Sequence, residues 1–316
     1  MKRRYWTGRI ARFLLLLAGV SVLSFLLTAL TGTDPAEYIA RRSSLSATPE
    51  LIEQIRTTLG LDKPLHIRYL NWIGGVLHGD FGRSIFTGHS VGQDLQSYFP
   101  PTLKLVALSM ALIVVFTIPV SLVSAARRGR LSDHIVRGVS IVGICLPPFW
   151  LGFLLLLAFA VELPIFSVTP EPGLKGLILP AITLAFPVIC SSVRVLRASL
   201  LEELHRDYIV YSRANGMGRW RLTAQALRNA LPPTVTLFCQ YVSYLIAGSA
   251  VVEQVFSIKG VGSYLMSSIM AADANAIGAC MLIVAALYLA AELFGDIING
   301  WLCPWRGGGR SAEMSY

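Results

Sequence analysis

Charge is scarce in this chain. Only 14% of its 316 residues are charged, where a soluble globular protein carries about a quarter. Apolar residues make up 54%, and the mean hydropathy is +0.61. Contact with lipid explains the missing charge. Lysine is scarcer still: Lys2, Lys63, Lys104, Lys175 and Lys259 are the whole set, and none follows a glycine. That excludes a P-loop, whose lysine follows a glycine-rich turn that cradles phosphates. The chain therefore carries no nucleotide-hydrolysing domain of its own. Cysteine pairs at metal or redox spacing are also missing. Cys145, Cys190, Cys239, Cys280 and Cys303 include no C-x-x-C and four lie in apolar runs, so they read as small buried hydrophobes. Neither a G-x-S-x-G hydrolase motif nor an H-E-x-x-H is expected, and no catalytic residue or metal site is assigned.

What is present is six uncharged runs: Phe13–Leu30, Leu105–Ala126, Gly138–Val161, Gly176–Val193, Ala230–Val252 and Ala274–Ala291. A bilayer core about 30 Å thick needs roughly 20 apolar residues of helix. A barrel would show short alternating segments instead. The expectation is an all-α, polytopic membrane protein with about six transmembrane helices. The first run is longer than a signal peptide's apolar region, and Leu30-Thr31-Gly32-Thr33-Asp34 is a poor cleavage site, so it reads as a retained span.

The net charge of +9 raises nucleic acid or a membrane surface as partner. The basic residues fall in clusters between apolar runs and form no patch with interleaved aromatics, which excludes nucleic acid. Eighteen of the 27 lie on one side: in the amino terminus, in 127–137, in 194–229 and in the tail. Six of the other nine belong to a long segment, which crosses largely regardless of charge. Both termini are expected in the cytoplasm. The layout reads as a first span within 1–30, an extracytoplasmic segment 31–100, a five-helix core 101–300 and a cytoplasmic tail 301–316.

Within 31–100, Thr48-Pro49-Glu50 predicts a helix start, running through Leu59 and stopped at Gly60. Leu65–Leu77 predicts an amphipathic helix at the membrane surface, followed by a turn at Gly79-Asp80-Phe81-Gly82. In the cytoplasmic segment 194–231, a short helix stops at Gly216, a second stretch starts at Arg219, and Pro232-Pro233 opens the fifth span.

An ion-coupled carrier would need ionisable residues within its spans, and the candidates are marginal: Glu253, Glu292 and Asp296. The fifth span carries a polar stripe of Gln240, Tyr241, Ser243, Tyr244 and Ser249. Gln240, Ser243 and Tyr244 share one face, which suits either the wall of a translocation path or a helix–helix contact. His66, His78 and His89 match no compact ligand spacing.

Tyr208, then Tyr211-Ser212-Arg213-Ala214-Asn215-Gly216-Met217 and Arg228-Asn229-Ala230-Leu231-Pro232-Pro233, resemble the EAA-type loop of inner-membrane permeases in binding-protein-dependent ABC importers. The dipeptide/oligopeptide/nickel branch is the most similar. Leu59–Leu65, Gly79–Ser84, Pro101-Thr102-Leu103, Leu179-Pro180-Ala181, Arg194–Ser199 and Val255–Gly262 fit the same pattern. Ile258-Lys259 and Leu302–Arg306 depart from it.

The resemblance implies a type I permease fold with amino and carboxyl ends inside, in the bacterial inner membrane. Tyr211 to Met217 would be the coupling helix, docked on an ATPase. ATP and Mg would be bound by two partner ATPase subunits, with no cofactor on this chain. A second, homologous permease would complete the pathway, and an extracytoplasmic binding protein would deliver nickel, a metal chelate, or di- or oligopeptides. The alternative is an ion-coupled secondary transporter that works without an ATPase.

Overall fold

The computed structural model describes residues 2–30, 35–43, 48–58, 60–171, 173–271 and 273–302. Every regular element among them is helical, apart from one isolated β-bridge between Arg83 and Ser90. The chain divides into two compact units: residues 1–102 with 259–289, and residues 103–258 with 290–316.

The first unit holds α1 (Lys2–Leu30), α2 (Pro35–Ser43), α3 (Pro49–Thr58), α4 (Leu65–Leu77), the start of α5 (Val91–Ala126), α11 (Val261–Met270) and the start of α12 (Ala274–Leu302). At the head of α3, Leu51 N–H donates to Thr48 Oγ1 at 3.4 Å. At its foot, Gly60 turns to φ +65° and two N–H groups fold back, Gly60 onto the Thr57 carbonyl and Leu61 onto the Arg56 carbonyl, both at 3.0 Å. This doubled closure satisfies carbonyls the helix itself leaves open. Leu59 lies outside the described residues. α4 closes in the same way at Gly79, with φ +81° and Asp80 N–H donating to the Gly75 carbonyl at 2.9 Å.

α4 is more than a surface helix. Tyr69 and Trp72 pack on Phe25 of α1, with ring centroids 5.5 and 6.2 Å apart, and Ser21 Oγ lies 2.8 Å from Tyr69 Oη. The far edge of Trp72 meets Gly278 of α12 so closely that an added Cβ would stand 2.8 Å from Cζ2.

Asp273 organises the rest of this unit. One carboxylate oxygen accepts the N–H of Ala276 at 3.1 Å, capping α12. The other accepts Ser84 Oγ–H at 2.6 Å and Phe86 N–H at 3.1 Å, tying the 82–90 turn to that cap. Nearby, Asp94 accepts hydrogen bonds from Tyr264 Oη and Thr87 Oγ1, and Thr102 Oγ1 accepts Val261 N–H at 2.8 Å.

The second unit comprises the remainder of α5 and α12, with α6 (Leu131–Cys145), α7 (Pro148–Leu156) and its π-helical extension Leu157–Glu162, α8 (Lys175–Leu204), α9 (Asp207–Ala214) and α10 (Arg219–Val255). Close approach is permitted by small residues. A Cβ on Gly143 of α6 would overlap Cys190 Sγ of α8, and one on Gly152 of α7 would press on Phe256 and Val255. Cys190 is thus a packing residue, as its apolar setting predicts.

Two expectations are corrected here. The single span expected over Gly138–Val161 is two helices bent by 106°. Leu146 and Pro147 both take extended backbone, because a residue before proline is pushed out of the helical region, and Pro148 then opens α7. Conversely, Pro232 and Pro233 do not open the fifth span; they lie inside α10, which runs unbroken from Arg219. Their missing N–H groups leave the carbonyls four residues earlier without helical donors. Tertiary packing outweighs that cost: Ala230 packs in a core with Leu196, Leu200 and Ala125.

Among the described residues, four helices are long and apolar enough to cross a bilayer: Val91–Ala126, Lys175–Leu204, Arg219–Val255 and Ala274–Gly295. The bent pair makes a fifth if counted as one path, and the described apolar part of α1, Phe13–Leu26, is shorter.

Asp133, almost fully buried at the start of α6, receives four donors. Arg197 of α8 forks onto both its oxygens at 2.7 and 2.8 Å, Ser124 Oγ–H of α5 donates at 2.6 Å, and Gly129 N–H donates at 3.0 Å. The Arg197 guanidinium, chiefly, holds this carboxyl well below the usual carboxylate range.

Two predictions follow from these contacts. Gly278→Val should lower the melting temperature, with an overpacking cost of about 1–3 kcal/mol, and Trp72→Phe should restore part of it; additive losses would refute the contact. Asp133→Asn should cost about 1–2 kcal/mol, less than a fully dry pair because Arg197 is partly solvated. The folded carboxyl titrates below its unfolded value of about 4, so its contribution is complete above that pH and lost as pH falls further. The wild-type advantage in melting temperature should be equal at pH 6 and 8 and shrink below about pH 4.

Candidate functional site

α9 is eight residues long, and its C-terminal end is closed by the Asn215 N–H, which donates to the Tyr211 carbonyl at 3.0 Å. Asp207 lies in the first turn, where a carboxylate suits the positive end of the helix dipole. After Asn215 the backbone turns through Gly216 at φ +78°, with Gly216 N–H donating to the Arg213 carbonyl and Met217 N–H to the Ser212 carbonyl, both at 3.1 Å. A Cβ at Gly216 would meet nothing within 4 Å. The glycine is required by its dihedral and not by crowding.

One face of α9 is fastened to the spans. Ile209 is fully buried against Leu222 and Ala226 of α10, with Leu204 and Tyr208 packed around it. Tyr208 Oη–H donates to Glu203 Oε2 of α8 at 2.7 Å and accepts Asn229 Nδ2–H of α10 at 2.9 Å. Burial pushes the Tyr208 phenol above its usual range, with the Glu203 carboxylate adding to the effect, so it stays neutral and donates.

The opposite face is bare. Tyr211, Arg213, Ala214, Asn215, Gly216 and Met217 are exposed and Ser212 is half-buried. Val210 and Tyr211 are 60% and 72% exposed, and Trp220, just beyond the turn, is 83% exposed. Val210 and Trp220, which the motif does not mark, are thus exposed along with all but Ser212 of the seven residues singled out from the sequence. Apolar size next to a glycine stop is the signal that finds those two.

The polar stripe of α10 is divided by the fold. Gln240 and Tyr244 lie on an exposed line with Pro233, Thr236, Ala247 and Val251. Ser243, beside that line, is buried. Tyr241 Oη–H donates to Ser191 Oγ of α8 at 3.0 Å, and Ser249 is engaged with Glu253 at 3.1 Å. Helical periodicity alone places these residues within one arc, and only packing separates wall from contact.

Glu253 is fully buried in the last turn of α10, Glu292 is exposed, and the Asp296 side chain lies outside the described residues. His78 Nδ1 is 2.8 Å from the Gly74 carbonyl and His89 is 3.6 Å from Asp94, and no metal-binding group of three forms among the described residues. Against the expectation of no hydrolase motif, Gly88-His89-Ser90-Val91-Gly92 does have G-x-S-x-G spacing. Its geometry is different: Ser90 precedes the first turn of α5, and its carbonyl accepts Asp94 N–H at 3.1 Å as an ordinary helix start. The strand-to-helix elbow that exposes a nucleophile is missing.

Residues 117–307 match the family described as binding-protein-dependent transport system inner membrane component, and residues 2–106 match the N-terminal region described for such membrane components. The metal-staphylopine import system permease protein CntB of Staphylococcus aureus is 34% identical over 94% of this chain and 96% of its own length. The probable D,D-dipeptide transport system permease protein DdpB of Escherichia coli is 33% identical over 98% of both. The glutathione transport system permease protein GsiC of E. coli is 34% identical over 90% of this chain and 92% of its own. These matches replace the ion-coupled carrier as the reading of the chain. The chain belongs to the binding-protein-dependent inner membrane components, as a permease subunit of an ABC importer in the peptide/nickel branch and not an enzyme.

Proposed function

We propose that α9 is the coupling helix of this permease, seated through Val210, Tyr211, Met217 and Trp220 in a groove of a partner ATPase. The supporting observation is the exposed apolar face on a helix that Ile209 and Tyr208 hold to α8 and α10. Exposed aromatics on a rigid support make strong interface anchors. Two ATPases, each binding ATP and Mg, would close on each other and carry α9 with them. The spans of this chain and of a second, homologous permease would then shift between inward- and outward-facing states. Six spans with both ends in the cytoplasm put α9 on the side where the ATPases work, in keeping with the basic 127–137 and 194–229 segments.

The pathway wall is assigned to Gln240 and Tyr244, because these are the stripe residues left exposed, while Ser243 supports the helix from within. The extracytoplasmic binding protein would meet the segment 31–100. The three relatives are named for metal-staphylopine, D,D-dipeptide and glutathione. The cargo proposed here is of the same range: nickel or another metal chelate, or a di- or oligopeptide.

The test is co-purification of the tagged chain with ATPase subunits from cells expressing its native gene neighbourhood. Tyr211→Ala with Trp220→Ala should weaken recovery of the ATPase by about 2 kcal/mol or more, roughly thirtyfold in affinity, with an unchanged melting temperature. Gly216→Ala places a side chain at positive φ in open space and should cost only about 1 kcal/mol locally, while Gly216→Arg should abolish uptake. An ATPase still recovered in full with the double variant would sink the assignment.

A further inference from the structure

Asp133 and Arg197 form one wall of a cavity of about 460 Å³ whose lining also includes Arg128, Gly129, Arg137, Arg194 and Leu201. Four guanidinium groups therefore face it with a single carboxylate, and that carboxylate is already taken by Arg197 through both oxygens. Arg128, Arg137 and Arg194 are exposed and have no ion-pair partner among the described residues. Three arginines without an ion-pair partner among the described residues, from the turn after α5, from α6 and from α8, converge on one opening. Such an arrangement favours an entering anion, and guanidinium forks match phosphate oxygens in shape and charge.

The surface beside the cavity narrows the source of that phosphate. Ile141 and Ile144 follow Arg137 by one and two turns on the same face of α6, and both are exposed. An apolar strip thus rises directly from the arginines along a helix of the spanning region. A soluble phosphate would use only the cavity, whereas a phospholipid would use both parts, its head among the guanidiniums and its chains along the isoleucines.

We infer that this cavity is a binding site for the phosphate headgroup of an anionic phospholipid of the inner leaflet. The inference rests on the orientation proposed above, which places the 127–137 turn on the cytoplasmic side, where anionic lipid attracts basic residues. Asp133 is a positioning residue in this site: by fixing Arg197 and the Gly129 turn, it sets the spacing of the other arginines without touching the lipid. Leu201 lies one turn from the end of α8, so a lipid held here borders the segment that leads into α9.

Native mass spectrometry of the full-length chain in mild detergent tests this, with phosphatidylglycerol and phosphatidylcholine added in parallel. Phosphatidylglycerol should be retained over phosphatidylcholine, with a gain of roughly fivefold for each arginine engaged. Arg128→Gln with Arg137→Gln and Arg194→Gln should reduce retention to the phosphatidylcholine level. The lipid-free melting temperature should be unchanged, because the Asp133–Arg197 pair remains. Arg127→Gln with Arg130→Gln and Arg221→Gln removes the same charge outside the lining and should retain the lipid. Equal loss in both triple variants, or equal retention of the two lipids, would overturn the site. Displacement of phosphatidylglycerol by millimolar inorganic phosphate would reassign the cavity to a soluble anion and overturn the lipid. Loss of co-purifying ATPase from the lining variant with lipid retention intact would make the arginines a protein contact and overturn it too. A wild-type chain that recovers no ATPase counts against the coupling assignment alone, since lipid retention is read on the isolated chain.

Discussion

An isolated eight-residue helix has almost no stability in water, because its nucleation cost is not repaid within two turns. α9 exists only as far as Ile209 and Tyr208 hold it down. Ile209 contributes burial against Leu222 and Ala226, and Tyr208 contributes a hydrogen-bond bridge from Glu203 to Asn229. That single attachment decides everything that depends on α9. It orients the bare face, sets the position of the Gly216 turn, and makes the helix move with α8 and α10. A tyrosine kept neutral by burial suits this place, since its hydroxyl both donates and accepts in one bridge.

Each unit uses one buried carboxylate in a similar way. Asp273 caps α12 and, with its second oxygen, fixes the 82–90 turn. Asp133 ties α5, α6 and α8 through four donors. Burying a carboxylate is costly unless its lone pairs are satisfied, and in both cases they are. Neither group is placed to do chemistry. They hold segments far apart in sequence in register, where a merely apolar contact would allow sliding.

What could be read from the sequence was what is encoded locally. Thr48-Pro49-Glu50, Gly60, Gly79 and Gly216 mark helix ends by dihedral and capping chemistry within a few residues, and the helices start and stop there. The apolar runs announce lipid contact by composition alone. Rules of proximity fail where packing decides. An uncharged run looks continuous across Pro147-Pro148 although the backbone turns there, and Pro232-Pro233 look like a helix start although α10 passes through them. The Asp133–Arg197 pair joins residues 64 apart, and no local pattern reveals it. On the site, the family motif marks Tyr211 to Met217, but only the fold shows that Val210 and Trp220 are left exposed near them in the chain and that Ser243 is buried out of the stripe.

The unbroken course of α10 through Pro232 and Pro233 also has a mechanical meaning. A helix resists bending through its ladder of backbone hydrogen bonds, and two successive prolines remove two rungs at one level. Below that level α10 forms the floor beneath α9; above it, the same helix carries Gln240 and Tyr244. A load applied at α9 therefore meets a stiff rod with one compliant joint. Displacement of the end that carries α9 would be taken up chiefly as a change of angle at that joint, swinging the Gln240–Tyr244 half as a lever.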